Sequence, residues 1–198
     1  MKIGGLIVAA GLSSRMGAFK PMLPLKGETI LRRGVLTMLE ADCDPVAVVT
    51  GHRAEEIHES LSDLPVTCLY NPEYARSQML DSVKLGLQWL ADQCDQVLFS
   101  PGDVCLYREE TVRVLVNRES LFAQPVYQGQ PGHPVLFSAQ LIPDILCFGG
   151  DGGLAGFLRS APVLQVPVED PGILLDADTR EQYERLLDYV RKWEEGRR

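Results

Sequence analysis

Short apolar runs alternate with segments of helical periodicity through the first half of the chain. Four runs have the length and composition of buried strands and end at glycine, proline or polar residues: 3–9, 46–50, 65–70 and 96–100. The segments between them have apolar residues at helical spacing, at about 29–40, 53–61 and 76–92. Strands separated by helices of this length form βαβ crossovers and pair in parallel. The pattern therefore predicts an α/β fold around a mostly parallel sheet.

The last third of the chain follows a different pattern. Residues 124–128 and 133–138 are strand-like and flank a turn at 129–132, which predicts a β-hairpin added to the sheet. Further elements are predicted as helices at about 139–147 and 153–159, a strand at 163–168, and a charged helix at about 180–195 with Thr179 as its N-cap. The sequence has 198 residues and shows no linker-like stretch, repeat or low-complexity tract. We therefore expect one domain that spans residues 1–198.

Charge and composition exclude several classes of protein. The net charge of −8 disfavours a general nucleic-acid-binding or membrane-binding surface. The sequence has no apolar stretch long enough to span a bilayer, and its first residues lack a signal-peptide pattern, so we expect a cytoplasmic location. Five cysteines, an odd number with no C-x-x-C pair, argue against a disulfide framework or a zinc site. Cys105, close to Asp103, is expected to be a packing residue.

The loop at residues 9–20 follows the first predicted strand. Its glycines, Gly11 and Gly17, allow the backbone to approach phosphate groups closely, and Arg15 and Lys20 could neutralise their charge. Ligands of parallel sheets bind beyond the carboxyl ends of the strands, where this loop is expected. However, the loop matches neither of the two standard phosphate-binding motifs. The residues alone therefore leave open a phosphate site or an ordinary βα loop with incidental charges.

Three aspartates are candidate metal ligands. Asp103 follows a predicted strand and a Pro-Gly turn, whereas Asp176 and Asp178 end an apolar run in which alternation would place both carboxylates on one side. Mg²⁺ is commonly held by one or two carboxylates plus substrate phosphates. Asp103 and one of the pair could therefore hold a metal that bridges triphosphate oxygens. Helix capping and turn formation remain the alternative roles for these aspartates.

Five segments together resemble the nucleotidyltransferase superfamily, and within it the molybdenum cofactor cytidylyltransferases. Residues 9–17, with Lys20 and the Leu-Pro-Leu at 23–25, resemble the signature loop of that superfamily. The later segments follow in the order of the family and are 71–74, Gly102-Asp103, 132–137 with 150–153, and 175–179. The likeness extends from residue 3 to about residue 190, nearly the whole chain.

The resemblance implies a single-domain, Rossmann-like (glycosyltransferase-A-like) three-layer α/β sandwich that binds a nucleoside triphosphate and Mg²⁺ or Mn²⁺. It implies transfer of a nucleotidyl group to a phosphate on a second substrate, with release of pyrophosphate. It gives catalytic roles to Arg15, Lys20 and Asp103. The implied nucleotide-binding residues are Ala9, Ala10, Gly11, Leu12, Ser13, Arg15 and Lys20. The implied metal ligands are Asp103 and Asp178, with Asp176. The implied acceptor-binding residues are Asn71, Ser82, His133 and Asp151.

The resemblance also bears on the substrates. Ala10, where relatives that use GTP tend to carry glycine, favours CTP, and a pterin-type molybdenum cofactor is the leading acceptor. A molybdenum hydroxylase apoenzyme is then an expected partner, whereas nucleic acid and membrane are not. Two positions depart from the family pattern: Val104-Cys105 replaces the usual Gln-Pro after the metal aspartate, and Asp81 replaces a small polar residue.

Two alternatives therefore stay open. One is a nucleotidyltransferase for another acceptor, such as a sugar phosphate or a polyol phosphate. The other is a non-catalytic cofactor-binding maturation factor for molybdenum enzymes. The presence of both metal carboxylates argues against the second, because binding alone does not require them.

Overall fold

The structure, a computed structural model, describes residues 1–12, 17–116, 118 and 120–195, except for the side chains of residues 193–195. The strands are β1 (Ile3–Ala9), β2 (Pro24–Leu25), β3 (Glu28–Thr29), β4 (Val46–Thr50), β5 (Val66–Tyr70), β6 (Gln96–Pro101), β7 (Phe122–Tyr127), β8 (Gln130–Pro131), β9 (Val135–Ser138) and β10 (Leu164–Pro167). The α-helices are α1 (Ile30–Glu40), α2 (Ala54–Ser60), α3 (Met79–Leu90), α4 (Glu109–Val116), α5 (Ile142–Cys147), α6 (Gly153–Ser160) and α7 (Arg180–Glu195). Short 3₁₀ turns occur at Lys20–Met22, Ala139–Leu141 and Pro171–Leu174.

The main sheet is mostly parallel, as the alternation of strands and helices predicts. Its strand order is β10-β7-β9-β6-β1-β4-β5, with β8 paired to β7. Strand β1 pairs in parallel with β4 and β6, and β4 pairs in parallel with β5. Strand β9 lies antiparallel between β6 and β7. The edge of the sheet where β1, β4 and β6 end is therefore the edge where β9 begins.

The structure confirms a hairpin in the last third, but its turn lies earlier than the predicted 129–132: it joins β7 to β8 at residues 128–129, and residues 130–131 belong to a strand. Val126 pairs with Pro131 and Tyr127 pairs with Gln130. The two residues between these strands, Gln128 and Gly129, both have positive φ, at 49° and 79°. Positive φ at both central positions is the geometry that matches the twist of two-residue hairpins. The chain continues from β8 in the same direction into β9, which pairs with the first part of β7 on the same side as β8, while β10 pairs with the opposite side of β7.

Helices cover both faces of the sheet. Leu6 and Ile7 are neighbours in β1 and point to opposite faces. Leu6 belongs to an apolar cluster with Val83 and Leu87 of α3, whereas Ile7 belongs to another that includes Val35 of α1. All three aliphatic partners, like the two strand residues, are buried. This arrangement confirms a three-layer α/β sandwich.

A third apolar cluster fixes the backbone near the ends of the strands. Its buried members are Leu25, Ile30, Cys105, Leu106, Ala177, Leu186 and Val190. Cys105 is buried here, which confirms a packing role, and that burial raises the pKa of its thiol to about 12. The cluster ties the turn after β6, which carries Asp103, to the segment before α7, which carries Asp178.

Two helices differ from the sequence expectation. The helix expected from about residue 76 begins at Met79, because Gln78 caps it and the Asp81 carboxylate accepts a hydrogen bond from the backbone N–H of Gln78 at 2.8 Å. Helix α4, which has eight residues, was not predicted. Its start is held by the buried carboxylate of Asp170, which accepts a hydrogen bond from the Thr111 hydroxyl at 2.6 Å.

The C-terminal helix agrees with its sequence signals. The backbone N–H of Gln182 donates to the Thr179 hydroxyl at 3.2 Å, which confirms the expected N-cap of α7. No helix in the described ranges is both long enough and apolar enough to cross a bilayer.

Candidate active site

A cleft of about 480 Å³ opens at the carboxyl ends of β1 and β6. This is the position at which parallel α/β sheets bind ligands. Five parts of the chain line this cleft: the loop after β1, the start of α3, the end of β6, the start of β9 and the segment before α7. The lining residues are Val8, Ala9, Ala10, Gly11, Leu12, Lys20, Pro21, Tyr74, Ser77, Gln78, Met79, Ser82, Pro101, Gly102, Asp103, Val104, His133, Asp176 and Asp178.

The first wall of the cleft is the loop after β1. Ala9 and Ala10 are buried at the end of the strand, and Gly11 and Leu12 follow them along the cleft. Two residues expected to contact nucleotide, Ser13 and Arg15, lie outside the described residues. The chain returns to the cleft at Lys20.

Lys20 joins two carboxylates that come from distant parts of the chain. Its Nζ donates to Asp103 Oδ2 at 2.7 Å and to Asp178 Oδ1 at 2.5 Å. The three side chains are between 15% and 28% exposed, so the ion pairs are only partly screened by water. Burial on its own lowers the pKa of Lys20, but the hydrogen bonds and charges of Asp103 and Asp178 raise it above its usual value. The ammonium is therefore firmly protonated.

Asp176 adds a third carboxylate to this part of the cleft. Burial raises its pKa, and the nearby charges of Asp103 and Asp178 raise it further. The contribution from the two charges shows that the Asp176 carboxyl lies near both of the aspartates that bind Lys20.

These carboxylates fit a hard divalent cation that also takes ligands from a substrate. Oxygens of Asp103 and Asp178 approach the same nitrogen, so one small cation could reach both. Within the described ranges, no group of three or more His, Cys, Asp or Glu side chains is arranged to hold a metal. A cation bound here would therefore need further oxygens from elsewhere, as Mg²⁺ does when it bridges one or two carboxylates and substrate phosphates.

His133 forms the opposite wall, just before β9. Its backbone N–H donates to the Ile173 carbonyl at 3.0 Å, and its ring packs edge-on against Phe99, with the centroids 5.9 Å apart. Its Nδ1 is buried and has no hydrogen-bond partner among the described residues. Burial lowers the pKa of His133 to about 4, although Asp103 opposes the shift. At neutral pH the ring is therefore uncharged and can donate or accept one hydrogen bond without adding charge.

The other residues implied for the acceptor lie at different depths. Ser82 is buried and lines the cleft, and its Oγ accepts a hydrogen bond from Asn71 Nδ2 at 2.9 Å. Asn71 itself lies behind the wall and also donates to Ser77 at 3.0 Å. Asp151 is exposed before α6 and is not part of the cleft lining. The structure thus brings Ser82 and His133 to the same cleft as the carboxylates, places Asn71 behind them, and leaves Asp151 outside.

Comparison with known proteins identifies the family. The model for the MobA-like NTP transferase domain matches residues 5–166, most of the chain. The chain belongs to the MobA-like NTP transferase family.

Two relatives of this MobA-like protein align with almost its full length. It is 32% identical over 180 residues to the molybdenum cofactor cytidylyltransferase of Escherichia coli K12, which covers 90% of this chain and 92% of that protein. It is 29% identical over 198 residues to the nicotine blue oxidoreductase of Paenarthrobacter nicotinovorans, covering 93% and 96%. Among solved structures, a nucleotidyl transferase from Methanothermobacter superimposes with a TM-score of 0.84 and 26% identity, covering 96% and 98%.

These findings confirm the resemblance and the fold class, and this MobA-like protein is an enzyme of the nucleotidyltransferase type. Because one relative is named an oxidoreductase, overall similarity alone does not decide the substrates.

Sequence reasoning missed part of the cleft wall of the MobA-like domain. Tyr74, Gln78 and Met79 line the cleft at the start of α3, although none was expected to be a site residue. The signal was the capping pattern of Gln78 and Asp81, which locates the helix start and turns the Asp81 carboxylate to the backbone. Asp81 therefore does not line the cleft, which explains how this departure from the family pattern is accommodated.

We expect His133 to make the fold less stable as the pH falls from about 6.5 to about 4. In this window the unfolded chain binds a proton on the imidazole, whereas the buried ring in the folded protein stays neutral. The unfolded state therefore binds more protons, and the free energy of unfolding falls as the pH falls. Replacing His133 with Gln should remove about 1–3 kcal/mol of this decline, measured by urea denaturation across the window.

The matched control is His58→Gln, since His58 is exposed on α2. That variant should keep the pH dependence of the wild type. Parallel curves for wild type and His133→Gln would contradict the burial of a neutral imidazole at this position.

Proposed function

We propose that this protein transfers CMP from CTP to the phosphate of a pterin-type molybdenum cofactor and releases pyrophosphate, with Mg²⁺ or Mn²⁺ as cofactor. The observation that carries the proposal is the convergence of Lys20, Asp103 and Asp178 beside the β1 loop. A metal–triphosphate group requires carboxylates for the metal, a positive charge for the phosphates, and a loop whose backbone can approach the phosphates closely. The proposal takes residues 1–198 as one domain.

The donor half of the site is assigned to the β1 loop. Backbone groups of residues 9–12 would contact the nucleotide, and Lys20 would contact the triphosphate. Ser13 and Arg15 complete this set in the proposal. CTP is favoured by Ala10 and by similarity to a protein named as a cytidylyltransferase.

Asp103 and Asp178 would hold the metal, with Asp176 next to them. When bound, Mg²⁺ supplies neutralisation of the charge on the phosphate oxygens. The side chains of the protein then have to hold the triphosphate in the orientation that in-line attack requires. In phosphoryl transfer, positioning and charge neutralisation together supply most of the catalysis. No protein nucleophile is needed, because a phosphate oxygen of the acceptor attacks in line.

The acceptor half is assigned to the wall formed by Ser82 and His133. Asn71 would support it from behind by fixing the hydroxyl of Ser82, and Asp151 would contact the acceptor where it extends beyond the cleft. The neutral ring of His133 suits a hydrogen bond to the uncharged part of an acceptor better than to its phosphate. A molybdenum hydroxylase apoenzyme would receive the finished cofactor.

A sugar phosphate or polyol phosphate is the second candidate acceptor. Val104 lines the cleft directly after Asp103, where the family usually has glutamine. The apolar side chain of Val104 lacks the amide that this position usually offers to the acceptor, so the cleft can accept a second substrate that differs from that of its relatives.

The proposal is tested by two measurements on the wild-type protein. In a thermal-shift panel of the four nucleoside triphosphates with Mg²⁺, CTP at about 100 times its Kd should stabilise the fold by about 2.7 kcal/mol, which raises Tm by about 5–11 °C. Pyrophosphate release should then require both CTP and the pterin cofactor. Release with a sugar phosphate or polyol phosphate alone would favour the second candidate, and binding of CTP without release with any acceptor would indicate a non-catalytic binding protein.

A further inference from the structure

The cleft has a cation, the Lys20 ammonium, between its two principal carboxylates. Lys20 Nζ lies 2.7 Å from Asp103 Oδ2 and 2.5 Å from Asp178 Oδ1. These are the same two side chains to which the metal is assigned above. An ammonium and a divalent cation cannot both make their shortest contacts with one pair of oxygens, so occupancy by one opposes occupancy by the other.

We infer that Lys20 acts as an internal counter-ion, which competes with the metal for Asp103 and Asp178 until a triphosphate takes the ammonium. The inference rests on the proposed donor site, but not on the identity of the acceptor. Its consequence is that the metal alone binds weakly, whereas metal and triphosphate strengthen each other's binding.

The position of Lys20 makes such an exchange physically reasonable. It lines the cleft at the start of the short 3₁₀ turn, with Pro21 next to it, so its backbone is held while the four-carbon side chain can rotate. A triphosphate in the cleft offers the ammonium new anionic partners. The ammonium then exchanges its contacts with the carboxylates for contacts with phosphate oxygens. The carboxylate oxygens become available to the metal.

The charges of the site also predict that Lys20 weakens the binding of a metal. The Lys20 ammonium contacts one oxygen of Asp103 and one of Asp178, and so offsets part of the repulsion between these two partly buried carboxylates. Loss of the ammonium removes that positive charge from the pair, and a divalent cation would replace it. Removal of the charge at Lys20 should therefore increase the affinity for a metal, although the same change removes a contact to the triphosphate.

The test is a titration of the full chain with Mn²⁺ in the absence of nucleotide, followed by electron paramagnetic resonance of the free ion and by calorimetry. We expect Lys20→Met to bind Mn²⁺ about tenfold more tightly than the wild type, which corresponds to about 1.4 kcal/mol. Lys20→Arg keeps the charge and should bind Mn²⁺ as weakly as the wild type. Asp178→Asn removes a ligand and should bind it more weakly. Lys192→Met, an exposed change on α7, is the matched control and should have no effect.

A second titration measures the coupling. Addition of a non-hydrolysable CTP analogue should tighten Mn²⁺ binding by a larger factor in the wild type than in Lys20→Met, because only the wild type has to move its ammonium. Thermal unfolding of each variant verifies that it is folded. Equal or weaker Mn²⁺ binding by folded Lys20→Met, or equal coupling in both proteins, would overturn the inference. If pyrophosphate release fails with every acceptor while Lys20→Met still binds Mn²⁺ more tightly, the counter-ion role stands and the proposed reaction does not.

Discussion

Replacing Asp103 with alanine is expected to lower the rate of metal-dependent pyrophosphate release by about a thousandfold. The carboxylate lies at the end of β6 and points into the cleft, where it accepts a hydrogen bond from Lys20. Its loss removes one of the two principal oxygen ligands proposed for the metal. The change should be seen mainly in kcat, because charge neutralisation matters most while the phosphate bond is breaking.

The fold of this variant should be almost unaffected. The Asp103 side chain is partly exposed, and the cluster beneath it is anchored by Cys105 rather than by the carboxylate. Asp188→Ala is the matched control, since it removes an exposed carboxylate that pairs with Arg191 on α7 and should leave activity unchanged. Undiminished pyrophosphate release by folded Asp103→Ala would exclude this residue as a metal ligand.

Replacing Gly51 with alanine is expected to displace two parts of the cleft wall, the β1 loop and Tyr74. A Cβ at this buried position would lie 2.4 Å from the Cβ of Tyr74 and 2.7 Å from the carbonyl oxygen of Ala10. Both neighbours border the cleft, and one of them is backbone, so the β1 loop and the segment before α3 must move apart. We expect the free energy of unfolding to fall by about 1–3 kcal/mol, and kcat/KM for the nucleotide to fall by about a hundredfold.

Urea denaturation and steady-state kinetics would measure the two effects on the same protein. Gly149→Ala is the control, because a Cβ there meets no heavy atom within 4 Å. Wild-type kinetics in Gly51→Ala would mean that the loop and Tyr74 adapt without cost, contrary to the tight contacts seen here.

The parts of the fold that follow from local pattern were predictable. The apolar runs at β1, β4 and β6 and the helical segments between them predict parallel pairing, and the positive-φ turn at residues 128–129 belongs to the predicted hairpin. Helix α4 was not predictable in the same way. Its stability comes partly from Asp170, which is distant in the sequence and binds Thr111 through a tertiary contact.

The site shows the same division between local and distant information. Four site residues could be proposed from the sequence, because each follows a predicted strand or an apolar run or lies in a glycine-containing loop. They are Asp103, Asp176, Asp178 and Lys20. The sequence could not predict that Lys20 bonds to Asp178, 158 positions later, and not only to phosphates. That contact depends on how α7 packs beneath the loops, which periodicity does not reveal. Gly51 was visible only as a strand end, since the need for a missing Cβ arises from Tyr74 in three dimensions.

The antiparallel direction of β9 has an evolutionary consequence. Val135, near its beginning, pairs with Phe99 near the end of β6, so His133 reaches the cleft from the start of a strand rather than from a βα loop. The donor wall and the wall that carries His133 are thus built by separate stretches of chain. Changes in the hairpin before β9 would therefore alter the wall proposed for the acceptor and leave the loop proposed for the triphosphate unchanged. Such modularity would allow one scaffold to diversify its second substrate without rebuilding the first.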